Sequence, residues 1–162
     1  MSHTGHGERH ARVSHAAPNV TRQALDATRH CLTGCAIGEV LGLLIAGAIG
    51  LATEPAMVLG IALAFVFGYS FTLVPLLRSG MAAAAALRIT LAADTISITV
   101  MEAVDNAVIA LVPGAMEAGL DSVIFWVSLA IGFAVAFAVT FPVNRWLIAR
   151  GRGHAIAHRR HE

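Results

Sequence analysis

"AMVLGIALAFVFGYSFTLVPLL" occupies residues 56–77 and holds no charged side chain. Wound as an α-helix at about 1.5 Å per residue, it reaches about 33 Å, enough to cross a hydrocarbon core of about 30 Å. In lipid the backbone must satisfy its own hydrogen bonds, which a lone strand cannot do. The segment therefore reads as a transmembrane helix, and the fold follows from finding its neighbours.

Working outward, three more segments have comparable length and are largely apolar. The first runs from about His30 to Ala52 and ends at "TEP", a turn signal. The third, residues 89–113, is apolar but carries three acids, and the fourth covers residues 122–143. Apolar residues make up 57% of the chain against 13% charged, and lysine is absent, a balance foreign to soluble domains. The chain reads as an all-α integral membrane protein with four transmembrane helices. Residues 1–28 are expected to form a flexible histidine-bearing tail, 29–149 the membrane domain and 150–162 a basic tail. The polar start, "MSHTGHGERHARVSH", lacks the short basic stretch and immediate apolar run of a secretory signal.

Arginine placement orients the four spans. Arg9, Arg12, Arg22 and Arg29 precede span one, Arg78 and Arg88 lie between spans two and three, and Arg145, Arg150, Arg152, Arg159 and Arg160 follow span four. All 11 basic side chains thus fall on one side, while the opposite connections hold Glu54, Glu117 and Asp121. The positive-inside rule puts both termini in the cytoplasm, and the expected location is a bacterial inner membrane. All eight histidines map to that same side. Trp126 and Trp146 fall near opposite interfaces.

Spans one and three are the polar ones. On a helix Cys31, Cys35 and Glu39 form one stripe, and Gly34, Gly38 and Gly42 form a second beside it. Small residues four apart let another helix approach closely, so the glycine stripe is a packing face, open either to this chain or to a further subunit. Glu39 lies about 13 Å along the helix from His30. An acid at such depth costs about 2.5–3.5 kcal/mol or more, so it must face the interior with a partner or a proton. No Lys or Arg occurs between residues 30 and 77 or between 89 and 144 to neutralise it.

Span three repeats the problem. Asp94, Ser97, Met101 and Asp105 share one face, and Thr95, Glu102 and Asn106 an adjoining sector joined by Thr99. Three acids within 12 residues repel if all are ionised, so a shared proton or a bound cation is expected. Tyr69 and Ser70 of span two fall at a similar depth, and Tyr69 can donate to a carboxylate. Pro75 is expected to kink or end its helix, with Pro142 and Asn144 at a similar boundary in span four. Two thiols, with His30 at the cytoplasmic end and Met101 deeper, suit copper or zinc. The set expected around a cation or metal is His30, Cys31, Cys35, Glu39, Asp94, Met101, Glu102 and Asp105, supported by Tyr69, Ser70, Ser97 and Asn106.

"HCLTGCAIGE" at 30–39 together with "DTISITVMEAVDN" at 94–106 resembles a bacterial membrane-domain family of unknown function, some of whose members are labelled copper oxidase. The resemblance covers about residues 27–149 and brings forward His30, Cys31, Cys35, Glu39, Asp94, Glu102, Asp105 and Asn106. It implies a link to copper. The chain has neither a cupredoxin-like segment nor the paired His motifs of a multicopper oxidase, so the oxidase label does not carry over.

Function narrows accordingly. Nucleotide-binding, zinc-protease and serine-hydrolase motifs are missing, and the arginine-rich ends suit anionic lipid rather than nucleic acid. The leading expectation is a small membrane protein that binds or transports a cation, such as copper, through intramembrane acids behind a Cys/His entrance. Its partners would be the bilayer and either further copies of itself or another membrane subunit. One alternative is a non-catalytic assembly or anchoring subunit. Another is a membrane thiol oxidoreductase, although His30 points about 100° away from Cys31 around the helix.

Overall fold

A computed structural model describes residues 19–150 as four helices joined by short connections: α1 Val20–Ile49, α2 Thr53–Arg78, α3 Ala83–Leu111 and α4 Val123–Ala149. All four are long and apolar enough to cross a membrane. The chain is a multi-pass membrane protein. The histidines at 3, 6, 10, 15, 154, 158 and 161, and the arginines at 9, 12, 152, 159 and 160, lie outside the described residues.

Local chemistry sets the helix ends. The Asn19 side chain accepts from the Thr21 N–H at 3.0 Å and caps α1. Gly50 closes it with φ of 70°, while the Leu51 N–H returns to the Ala46 carbonyl at 2.9 Å. Helix α1 therefore begins well before residue 29. Residues 20–28, expected to be tail, are helical because Ala24 and Ala27 pack against Ile148 of α4. The alanine run before span three is likewise part of α3. Pro75 does not end α2, and Pro142 does not end α4; both helices run on for several residues.

The helices form a ring in chain order. Helix α1 packs beside α2 and α4, α3 beside α4 and α2, and α1 meets α3 across the centre. The start of α1 and the end of α4 share one end of the bundle with the α2–α3 connection. Leucine, isoleucine and valine cover the outside: Leu44, Ile49, Val58, Leu111 and Val123 are all at least half exposed. The interior combines apolar residues such as Ile98, Met101 and Leu147 with threonine, serine, asparagine and four carboxyls. An apolar outside around a partly polar inside suits a bundle whose outer surface is solvated by lipid.

The α1–α2 contact is made of backbone. Gly34 faces Gly68, Gly38 faces Ala64 and Gly42 faces Gly60, in antiparallel register. A Cβ on Gly34 would stand 2.7 Å from Gly68 Cα, and one on Gly42 would stand 2.6 Å from Gly60 Cα. A Cβ on Gly38 would run into the Ala64 backbone and the Leu63 carbonyl carbon. The glycine stripe is thus consumed within the chain and is not a face left over for a second subunit.

Gly38→Ala is expected to cost about 1–3 kcal/mol through overpacking against backbone that cannot yield. Gly47→Ala, whose added methyl meets only the flexible Leu120 side chain at 3.3 Å, should be neutral or slightly stabilising. Thermal melting of the two purified variants in one detergent checks this; equal melting temperatures would contradict the account.

Candidate functional site

Because the glycine face of α1 lies on α2, the neighbouring stripe of Cys31, Cys35 and Glu39 turns toward the bundle interior, where all three are buried. Helix α3 answers with Asp94, Ser97, Met101, Glu102 and Asp105, all buried. The polar residues picked out in the two helices therefore do face inward. They do not gather at one point.

Toward the arginine-bearing end, His30 lies edge-on to Phe71 with ring centroids 5.2 Å apart, and its Nε2 is 3.4 Å from the Thr72 hydroxyl. Thr72 also hydrogen-bonds the Asp94 carboxyl, which feels the charge of His30. His30 and Asp94 are thus organised around α2. The thiols face the central apolar cluster rather than the contact of His30 with Thr72.

Cys31 and Cys35 are free thiols, 6% and 0% exposed, within an apolar cluster that includes Met101, Ile98, Ala64 and Ala136. Cys35 is in hydrogen-bonding reach of both Cys31 and Glu102. Further along, Glu39 meets Asp105 across the centre, with Glu102 close enough to act on both by charge. Glu39, Glu102 and Asp105 are 6%, 5% and 1% exposed. One oxygen each of Glu39 and Glu102, and both of Asp105, accept no hydrogen bond from a fixed donor. The Glu39–Asp105 contact becomes a hydrogen bond only when the two carboxyls share a proton.

The apolar helices lie directly on these acids. Gly60 of α2 lies against Glu39, where an added Cβ would make an ordinary contact at 3.5 Å from Glu39 Cγ. Gly132 of α4 lies against Asp105, and a Cβ there would collide with Asp105 Oδ1. Their sequence signal is faint, since single glycines are common in membrane helices.

The supporting residues differ from expectation. The Tyr69 hydroxyl meets the Thr95 hydroxyl at 3.0 Å rather than a carboxylate. Ser70, Thr95 and Thr99 donate to the carbonyls of Val66, Leu91 and Thr95 in their own helices. Asn106 Nδ2 donates to the Glu102 carbonyl at 2.9 Å. Ser97 donates to Asn144 Oδ1, Asn144 Nδ2 donates to Thr28 Oγ1 at 2.9 Å, and Thr28 donates to the Ala24 carbonyl at 2.8 Å. That chain ties α3, α4 and α1 together near the arginine-bearing end. Asn144 is therefore a buried cross-link and not a boundary residue, and Thr28, expected in the tail, is a buried residue of α1.

Beyond Glu39, toward the α1–α2 and α3–α4 connections, lies a cavity of about 500 Å³. Glu39, Gly60 and Asn106 form its deep end, and Asp121 and Thr53 belong to its outer end. Among the described residues no group of three or more His, Cys, Asp or Glu side chains is arranged to hold a metal ion. The donors expected for copper or zinc do not fit a single shell as they stand. What the geometry does provide is three acids, Glu39, Glu102 and Asp105, buried close together with no basic residue beside them among the described residues.

No curated protein and no solved structure matches the chain. One family model matches residues 21–153, beginning six residues upstream of the resemblance read from the two motifs and ending four residues beyond it. Its description assigns neither an oxidase activity nor copper. The match takes in all but the first residue of the four-helix bundle, and the chain belongs to this family, described as a domain of unknown function, DUF4396.

Proposed function

We propose that this chain is a small cation-handling membrane protein in which Glu39, Glu102 and Asp105 bind a cation or exchange it for protons. The observation that supports this reading is the set of carboxyl oxygens that are buried yet accept no hydrogen bond. Full ionisation of three neighbouring acids in a medium of low polarity is prohibitive without compensation. No Lys or Arg lies at that depth, so protons or a bound cation must supply the balance. A site that must hold one or the other is suited to exchanging them.

The soft-metal form of the proposal rests on the donor types of Cys31, Cys35 and Met101. Side chains would have to move to bring three donors together. Burial of both thiols weighs against exchange with an outside redox partner. The arginines at 22, 29, 78, 88, 145 and 150 border one end of the bundle, and Glu54, Glu117 and Asp121 border the other. By the positive-inside rule the termini belong in the cytoplasm, with the chain in a bacterial inner membrane and the cavity toward the outside.

Proteoliposomes with a trapped pH dye test the function. Inward gradients of sodium, potassium, zinc, copper(I) or an organic ammonium ion are imposed in turn, and a gradient of the handled cation should drive internal alkalinisation. Glu39→Gln/Asp105→Asn should slow that response at least about tenfold. Wild-type vesicles indistinguishable from empty ones under every gradient would overturn the reading. Retained metal in purified wild-type protein, lost in Cys31→Ala/Cys35→Ala, would point to copper or zinc.

Orientation has its own test. In a Cys31→Ala/Cys35→Ala background, a cysteine replacing exposed Glu117 should react with an impermeant maleimide on intact cells. One replacing exposed Ser79 should react only after permeabilisation. The opposite pattern would invert the topology.

A further inference from the structure

The shape and lining of the cavity beside Glu39 narrow the kind of cation. Its volume of about 500 Å³ is far larger than a bare ion needs and falls in the range of small-molecule sites. Its walls include Leu43, Met57, Ile109, Met116, Leu120 and Phe125, and among the described residues no Arg, Lys or His lines it. An inorganic ion needs a close shell of oxygens, which such walls do not offer. Glu39 belongs to the lining, is more than nine-tenths buried, and has one oxygen without a hydrogen-bond donor. Asn106 also lines the cavity; with its Nδ2 held by the Glu102 carbonyl, its amide oxygen is the acceptor that remains. Methionine side chains at two wall positions can repack around molecules of different outline.

We infer that this cavity binds a lipophilic organic cation carrying N–H donors, an amine with an apolar body, with its charge on Glu39 and its body against the apolar walls. The inference rests on the cation-handling reading and names the substrate class. Charge complementarity selects the occupant: an alkyl chain or a neutral solute would fill the walls yet leave the Glu39 carboxyl without a counter-charge. Asp121, at the outer end, adds a second negative group on the route and no competing positive one.

Full-length protein in nanodiscs of zwitterionic lipid provides the test, with 2-phenylethylammonium and the neutral 2-phenylethanol as probes in calorimetric titrations. The ammonium should bind at least about tenfold more tightly than the alcohol. Glu39→Gln should remove that preference, and Met116→Trp, which fills the cavity from the α3–α4 connection, should weaken ammonium binding. Because Glu39→Gln can also disturb folding, both variants are compared with wild type by thermal melting. The wild-type preference stands as a test without them. Equal binding of the two probes, or none, overturns the inference. If inorganic cations still drive Glu39-dependent alkalinisation in proteoliposomes, only the substrate class falls. If no cation gives a response, the cation-handling reading falls with it.

Discussion

The close approach of α1 to α2 sets the geometry of everything else. Three residue pairs, Gly34 with Gly68, Gly38 with Ala64 and Gly42 with Gly60, bring two backbones into contact with no side chain between them. In lipid, association of helices gains little from hydrophobicity and depends on such packing. Once this face is committed, the helical period directs the Cys31–Cys35–Glu39 stripe at the bundle centre. The acids of α3 then meet it because the ring order places α1 and α3 across from each other. Polar chemistry on two helices thus follows from the absence of side chains on another face of one of them.

The apolar helices have a further role. Helix α2 carries Gly68 and α4 carries Gly132, each where a neighbouring helix projects bulk: Ile98 and Asp105 in turn. A methyl group at Gly132 would occupy the position of a carboxyl oxygen. Helices with almost no ionisable groups therefore shape the space available to the ionisable ones.

The bundle was legible in the sequence because a charge-free run such as residues 56–77 admits few alternatives in lipid, and because arginines cluster between alternate spans. The inward faces of α1 and α3 were legible from the helical period. Less visible was the division of the polar residues. His30 and Asp94 meet through Thr72 of α2, a partner that no spacing within α1 or α3 could indicate. Tyr69 finds Thr95 instead of an acid for the same reason, since rotation of one helix about its axis relative to another is set by packing. The start of α1 was missed because residues 20–28 are polar in composition, and only the contact of Ala24 and Ala27 with α4 shows why they are helical. The small residues of α2 at 60, 64 and 68, Gly, Ala and Gly, repeat every four residues and match the spacing of Gly34, Gly38 and Gly42.

The hydrogen-bonded chain from Ser97 through Asn144 to Thr28 has a mechanical consequence. It fastens α3, α4 and α1 near one end by neutral groups that hold at any ordinary pH. Toward the cavity, α1 and α3 meet through Glu39 and Asp105, a contact that draws together with one shared proton and pushes apart with two full charges. One end of the molecule is therefore tied by neutral hydrogen bonds, while at the other the close packing of Gly42 on Gly60 and the apolar cluster around Phe125 and Leu129 hold two carboxyls side by side. Helices packed this closely leave the two acids little room to separate, so the charge between them has to be settled where they stand.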